Sequence, residues 1–211
     1  EYISDHDDRL NFISNFSGSF GLALVLRDKS YLFVDGRYTL QALNESGEFF
    51  RVITIPDKLP KDILKKKKLR IGFDPKLFTK KTFGFFFSNN NCSFIPINLN
   101  LIDKIWKRNV KKREFKFYSL PANSVGLNHK FKINKIVTIL KKKGADFQFI
   151  SSSENIAWLL NIRGGDTKFA PVPNSYLLID KHKKIKLFCD LNKISLSFRK
   201  KLKKIQFISI K

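Results

Sequence analysis

The sequence has few of the residues that enzymes use for catalysis or metal binding. Its 211 residues include three histidines, two cysteines and no methionine. Cys92 and Cys189 belong to no short-spaced group of cysteines or histidines, so neither a disulfide framework nor a zinc knuckle is indicated. This cysteine usage fits a reducing, cytoplasmic environment.

Long apolar runs and targeting segments are also absent. No apolar stretch approaches the roughly 20 residues that a membrane helix needs, and no signal-like pattern opens the chain. We therefore expect a soluble protein with no membrane partner. Because position 1 is not methionine and the chain opens on Glu-Tyr-Ile-Ser as though inside a domain, we also expect a fragment of a longer protein.

Acidic residues are scarce, and this scarcity gives the chain a formal net charge of +23 from 41 basic and 18 acidic residues. Such a balance is typical of nucleic-acid-binding proteins. However, the basic residues are 32 Lys and only 9 Arg, whereas proteins that read base sequence rely on arginine. We therefore expect salt-sensitive, nonspecific association with polyanions and no specific nucleic-acid partner.

Recognisable catalytic motifs are missing. Asp5, His6, Asp7 and Asp8 are adjacent, and we interpret them as capping a short helix rather than holding a metal ion. The serines at 151–153 lack a nucleophile elbow, and the glycines at 18–21 and 163–166 do not follow the strand, G-x-G-x-x-G, helix order of a nucleotide site. The chain itself is predicted to carry no catalytic residue, metal or cofactor.

Hydrophobic periodicity predicts an α/β protein of mixed sheets flanked by helices. We place the division between two domains at residues 1–118 and 119–211. The predicted helices are 8–15, 37–44, 61–67, 131–143 and one that begins at 153, and the predicted strands are 21–26, 31–34, 50–54, 69–74, 146–150, 175–180 and 185–190.

The two halves share a pattern that indicates an internal duplication. In each half a helix is followed by an apolar strand, a charged turn and a second strand that ends in aspartate, at Asp35 and at Asp190. The second half has a longer connection after its helix, TKFAPVPN, which we expect to be a surface or interface loop because its prolines hold it extended.

The stretch SENIAWLLNIRGGD, residues 153–166, reads as an amphipathic helix followed by a glycine pair. Ser153 is predicted to cap this helix, and Gly164 or Gly165 to supply a left-handed terminating residue. With VDGRYTLQA (34–42) and LIDKIW (101–106), it resembles the amino-terminal domains of aminopeptidase P, the Xaa-Pro aminopeptidases of the creatinase and prolidase superfamily. The resemblance covers nearly the whole chain.

The resemblance implies two tandem creatinase-type domains with a ribonuclease H-like motif, both incomplete. The first strand and helix of the first domain and the carboxyl-terminal part of the second would lie outside the chain. It further implies a separate catalytic pita-bread domain with two divalent metal ions, usually manganese. The implied partners are that missing domain, peptides with proline at the second position, and a second copy in a homodimer.

Arg37 is the one candidate site residue. It follows a strand and an Asp-Gly turn, so its side chain can project beyond the sheet edge, where ligands of α/β proteins collect. From spacing alone, a salt bridge to Asp35 or simple solvation is favoured. The resemblance instead implies that Arg37 contacts the bound peptide.

Four other residues of the family segments have structural interpretations. Trp106 and Trp158 are expected to pack in a core or a domain interface. Arg163 and Asp166 are expected to pair with each other or to face the missing domain.

Three functions remain open at this level. The first is the substrate-shaping part of a cytosolic Xaa-Pro aminopeptidase. The second is a non-enzymatic binding module of the same superfamily, like its histone-chaperone relatives. The third is a basic nucleic-acid-binding protein.

Overall fold

The computed structural model describes residues 3–108, 115–167 and 170–210. Contacts divide the described residues into two compact units, the first with residues 5–108 and the second with residues 3–4, 115–167 and 170–210. The predicted domains, 1–118 and 119–211, stay a prediction, and Phe117 is buried in the core of the second unit.

The first unit alternates short strands and helices, as its periodicity predicts. Its strands are β1 (Gly21–Val25), β2 (Ser30–Asp35), β3 (Phe50–Ile55), β4 (Arg70–Phe73) and β5 (Ser93–Pro96). Its helices are α1 (Arg9–Ser14), α2 (Thr39–Glu45), α3 (Pro60–Leu64), α4 (Lys80–Phe87) and α5 (Leu101–Ile105).

Strand β2 is the centre of the first unit. It pairs antiparallel with β1 and parallel with β3, so the sheet is mixed. Its side chains alternate between two cores: Phe33 joins a cluster that includes Phe86 and Phe87 of α4, and Leu32 joins a cluster with Phe16 and Ala42. Because both faces are covered, β2 holds the residue at its end in a fixed position.

The second unit contains a larger sheet and a longer helix. Its strands are β6 (Tyr118–Ser119), β7 (Phe147–Ile150), β8 (Ile162–Arg163), β9 (Ser175–Asp180), β10 (Ile185–Cys189) and β11 (Ile205–Ser209). Its helices are α6 (His129–Lys142), α7 (Ser153–Leu160) and α8 (Leu196–Lys201). The main sheet has the order β11-β10-β9-β7.

The structure supports the internal duplication at the level of topology. In the second unit β9 and β10 are antiparallel and β10 and β11 parallel, which repeats the relation of β1, β2 and β3. The preceding helices α1 and α7 both end at a left-handed asparagine, Asn15 with φ 57° and Asn161 with φ 55°. Asp35 and Asp190 each cap a single 3-10 turn after the repeated hairpin.

Some predicted elements differ in detail from the observed ones. The helix expected over 37–44 is a 3-10 turn, Gly36–Tyr38, followed by α2, and the helix expected over 61–67 ends at Leu64. Helices α4, α5 and α8 and strands β5, β6, β8 and β11 have no counterpart among the predicted elements. Part of the TKFAPVPN connection, residues 168–169, lies outside the described residues. In the remainder, Val172 and Pro173 are buried, so this part packs on the unit rather than forming a surface loop.

Candidate functional site: the turn after the central strand

The turn that carries Arg37 is built by the last residue of β2. The Asp35 carboxylate accepts a hydrogen bond from the Arg37 backbone N–H at 3.0 Å and so caps the 3-10 turn Gly36–Tyr38. This is the usual way in which an aspartate satisfies the free amide of a short helical turn. The central strand and its cap therefore fix the backbone from which Arg37 projects.

The Arg37 side chain forms the salt bridge that spacing alone favours. Its Nη2 donates to Asp35 Oδ2 at 2.7 Å and its Nε donates to Asp35 Oδ1 at 3.1 Å. The hydrogen bonds from this guanidinium hold the pKa of the Asp35 carboxyl below its usual value. The Arg37 side chain nevertheless remains 73% exposed. The salt bridge between Arg37 and Asp35 thus orients the Arg37 guanidinium at the surface without burying it.

Tyr38 supports this orientation from the next position. The guanidinium carbon of Arg37 lies 5.1 Å from the centre of the Tyr38 ring, within the range of a cation–π contact. The Tyr38 hydroxyl is 2.7 Å from the Ser19 hydroxyl, and its ring meets the buried Phe16 edge-on. Arg37, Tyr38 and Ser19 therefore form one connected surface, which we call the Arg37 surface.

The Arg37 surface is suited to binding and not to bond cleavage. A guanidinium donates hydrogen bonds to carbonyl or carboxylate oxygens but does not exchange protons near neutral pH. Among the described residues, no three His, Cys, Asp or Glu side chains form a group that could hold a metal ion. The two metal ions that the family resemblance implies belong to the separate catalytic domain, and that placement stays a prediction.

The equivalent turn of the second unit has a different residue at the position of Arg37. Asp190 accepts a hydrogen bond from the Asn192 backbone N–H at 3.0 Å, as Asp35 does from Arg37. Asn192 stands where the first copy has Arg37, so the second turn has no guanidinium. The repeat supplies a natural control position for Arg37.

The SENIAWLLNIRGGD segment proves to be a structural element, and several of its predicted roles change. Ser152 rather than Ser153 accepts the hydrogen bond that caps α7, and Asn161 rather than a glycine provides the left-handed residue. Gly164 and Gly165 are needed for close packing instead. A Cβ at Gly164 would lie 2.9 Å from Pro173 Cα, and one at Gly165 would lie 2.5 Å from Phe115 Cγ.

Asp166 and Arg163 do not pair with each other. Asp166 forms a buried ion pair with Lys193, and its Oδ2 accepts from the Asn174 backbone N–H at 2.7 Å. Arg163 Nη1 donates to the carbonyl oxygens of Ala157 and Ile162. Sequence reasoning missed Lys193 because the pairing partners lie 27 positions apart.

The two tryptophans have different environments. Trp106 is half-buried and stacks on Phe12 with ring centres 4.9 Å apart, as a core role predicts. Trp158 is 60% exposed, so it does not pack in the core of its unit, and its alternative role in a domain interface stays a prediction. The Lys132 ammonium lies 4.1 Å from its ring centre and also donates to the Trp158 carbonyl and to Asn161 Oδ1. Lys132 thereby caps the carboxyl end of α7.

The acidic run near the start of the chain also has a structural role. Asp8 caps α1 by accepting from the Asn11 backbone N–H at 3.1 Å, and partial burial raises the pKa of its carboxyl. Arg9 forms two hydrogen bonds of 2.9 Å with Asp103 in the LIDKIW segment. This contact ties α1 to α5 and explains why both segments belong to one packed unit.

Two sequence profiles described as creatinase/prolidase N-terminal domains match the chain, one over residues 2–104 and the other over residues 109–211. Xaa-Pro aminopeptidase 1 of Dictyostelium discoideum is 35% identical over 92% of this chain and 34% of the relative. Xaa-Pro aminopeptidase ApepP of Drosophila melanogaster is 31% identical over 94% of this chain and 34% of the relative.

A solved X-prolyl aminopeptidase from Caenorhabditis elegans, described as a cytosolic enzyme with a di-nuclear active site, has a similar fold. It matches 99% of this chain and 36% of its own with a TM-score of 0.87 and 28% identity. The chain spans about a third of the length of the relatives that it matches. Two consecutive matches to one kind of domain, together with this fold, show that the chain belongs to the creatinase/prolidase N-terminal domain family.

Proposed function

We propose that the chain is the non-catalytic amino-terminal part of a cytoplasmic Xaa-Pro aminopeptidase. The observation that carries the proposal is the likeness of both units, in sequence and fold, to the amino-terminal third of such enzymes. The parent enzyme would remove an amino-terminal residue that precedes proline. Among the described residues, no helix is long and apolar enough to cross a membrane.

In this proposal the hydrolysis takes place outside the chain. Two divalent metal ions, manganese in our expectation, would be bound by a separate catalytic domain and would activate water for attack on the peptide bond. The residues of this chain contribute binding and access. The parent enzyme would form a homodimer.

We assign the peptide contact to Arg37. Asp35 and Tyr38 hold its guanidinium in one orientation, so less side-chain freedom is lost when a peptide oxygen accepts its hydrogen bonds. A positioned group of this kind raises the rate by orienting the substrate rather than by proton transfer. Peptides with proline at the second position are the substrates that this assignment concerns.

The function is tested with the parent protein that contains this chain. Purified with manganese, it should release the first residue from Xaa-Pro peptides and leave matched Xaa-Ala peptides largely uncut. A folded, metal-loaded protein that cleaves neither peptide would overturn the enzymatic proposal and favour the non-enzymatic binding module. Binding of the peptide without cleavage would also overturn the enzymatic proposal.

A further inference from the structure

The positive charge of the chain is concentrated in its second half. Residues 111–211 contain 23 Lys and Arg against 6 Asp and Glu, whereas residues 1–110 contain 18 against 12. The net charge of the second half is therefore +17, and that of the first half is +6. Basic residues that served only to keep the surface polar would be distributed more evenly between the two halves.

Strand register places much of this charge at one end of one sheet. Ile185 of β10 lies beside both Ile205 of β11 and Ile179 of β9, and Ile179 lies beside Gln148 of β7. The starts of β11, β10 and β7 and the end of β9 therefore meet at the same edge. Because neighbouring strands lie about 4.8 Å apart, the four strand ends form a line about 14 Å long.

Three chain connections reach this edge, and each is rich in lysine. They are the end of α6, the turn from β9 to β10, and the connection from α8 to β11. We call their ten lysines the lysine edge: Lys141, Lys142, Lys143, Lys181, Lys183, Lys184, Lys200, Lys201, Lys203 and Lys204. All except Lys181, which is half-buried, are exposed.

The two carboxylates at this edge do not neutralise it. Asp146 pairs with Lys181 at 2.7 Å, and Asp180 accepts from the backbone N–H groups of His182 and Lys184 at 2.8 Å. Among the described residues, the other nine lysines have no carboxylate within ion-pair distance. Because neighbouring strand ends lie about 5 Å apart, less than the screening length of about 8 Å at physiological salt, the fields of lysines on adjacent connections add.

An exposed aromatic ring lies at the same edge. Phe147 is the first residue of β7, lies beside Asp180 in the register and is 60% exposed. Cations that track a phosphate backbone, together with an aromatic ring on which a base can stack, are what proteins use to bind single strands without sequence preference. Arg199 precedes Lys200 in the last turn of α8 and lies over the Phe207 ring, and the remaining cations of this edge are lysines, which fits charge neutralisation rather than reading of bases.

We propose that the lysine edge binds single-stranded nucleic acid through its phosphates, without regard to base sequence. The line of lysines matches a linear polyanion, and Phe147 supplies a stacking surface beside it. This activity is separate from peptide hydrolysis and does not depend on the Arg37 surface.

The test uses the whole 211-residue chain and two matched quadruple variants. The edge variant changes Lys183, Lys184, Lys203 and Lys204 to Gln. The control variant changes Lys65, Lys66, Lys80 and Lys81 to Gln, which are exposed lysines of the first unit. Both variants lose the same formal charge, and equal urea midpoints establish that both remain folded.

Binding is measured by fluorescence anisotropy with a labelled oligouridylate and a labelled mixed-sequence RNA between about 50 and 200 mM salt. The edge variant should bind at least about tenfold more weakly, and its salt slope should fall by about 1.4 or more if two phosphate contacts are lost. The control variant should change by less than about threefold. Phe147→Leu, which keeps the apolar volume but loses the ring, should weaken binding about fivefold.

Three results would overturn the proposal. Equal losses in both quadruple variants would show that only net charge matters. A strong preference for one RNA sequence would contradict backbone binding. Binding to anionic lipid vesicles that needs the lysine edge, with oligonucleotide binding unaffected by its loss, would assign the edge to a membrane surface.

Discussion

The buried ion pair of Asp166 and Lys193 gives the sharpest prediction about stability. The Asp166 side chain is 1% exposed and that of Lys193 is 9% exposed. Asp166 also holds the chain at Asn174, and the Lys193 carbonyl accepts from the Phe117 backbone N–H at 2.9 Å. The pair therefore joins the RGGD segment, the proline-containing connection and the segment that precedes β6.

Asp166→Asn would leave the Lys193 ammonium buried without a counter-charge. Breaking a buried pair in this way costs about 3–5 kcal/mol, a large share of the roughly 5–15 kcal/mol that stabilises a domain. For a unit of this size, the melting temperature should fall by at least about 12 °C. Replacing both residues, as Asp166→Asn with Lys193→Met, should recover most of the loss because no unpaired charge remains.

The assay is urea unfolding followed by tryptophan fluorescence. The chain has one tryptophan in each unit, so Trp106→Phe leaves Trp158 as a reporter of the second unit. The matched control is Asp146→Asn, which removes an exposed pair with Lys181 and should leave the urea midpoint unchanged within error. A cost below about 1 kcal/mol for Asp166→Asn, or no recovery in the double variant, would refute the reasoning.

Three further predictions concern single residues. The hydrogen bonds from Arg9 and then Arg108 lower the pKa of Asp103 from 3.8 to about 2. The contribution of the Asp103 carboxylate to stability is therefore present above about pH 4 and is lost as the pH falls through 2. In urea titrations, wild type should exceed Asp103→Asn by roughly 1 kcal/mol at neutral pH, and the difference should vanish near pH 2; a constant difference would contradict this. Asn15→Gly should leave stability unchanged or raise it, whereas Asn15→Ala should cost about 1 kcal/mol because Asn15 has φ 57°; equal unfolding midpoints for the two variants would be evidence against a left-handed cap. Burial raises the pKa of the Cys189 thiol to about 11, so iodoacetamide should label Cys92 well before Cys189 in native protein at pH 8, and mass spectrometry that finds Cys189 labelled first would disprove its burial.

Sequence reasoning recovers the features that local pattern determines. The alternation of apolar runs predicts β2 and β9, and the shared order of helix, hairpin and aspartate predicts the duplication that the strand pairing supports. The position of Arg37 after a strand and an Asp-Gly turn predicts its salt bridge with Asp35. In each case, the residues involved are close in sequence.

What sequence reasoning misses depends on contacts between distant residues. Lys132 reaches Asn161 and Lys193 reaches Asp166 only after the second unit has folded, and nothing in their local sequence distinguishes them from surface lysines. The glycine pair was assigned to a left-handed turn because this is the commonest use of glycine, whereas the observed need is close approach to Pro173 and Phe115. The lysine edge is visible only through strand register, since its three connections are separated in the chain.

The central claim is that this non-catalytic chain contributes to peptide binding through Arg37. The most direct measurement compares kcat/KM on a Xaa-Pro peptide for the parent enzyme, its Arg37→Ala variant and its Asn192→Ala variant. We predict a loss of about tenfold or more for Arg37→Ala, in keeping with one lost hydrogen bond to a charged group, and less than about twofold for Asn192→Ala at the equivalent turn. Wild-type kinetics in a folded Arg37→Ala enzyme would contradict the claim.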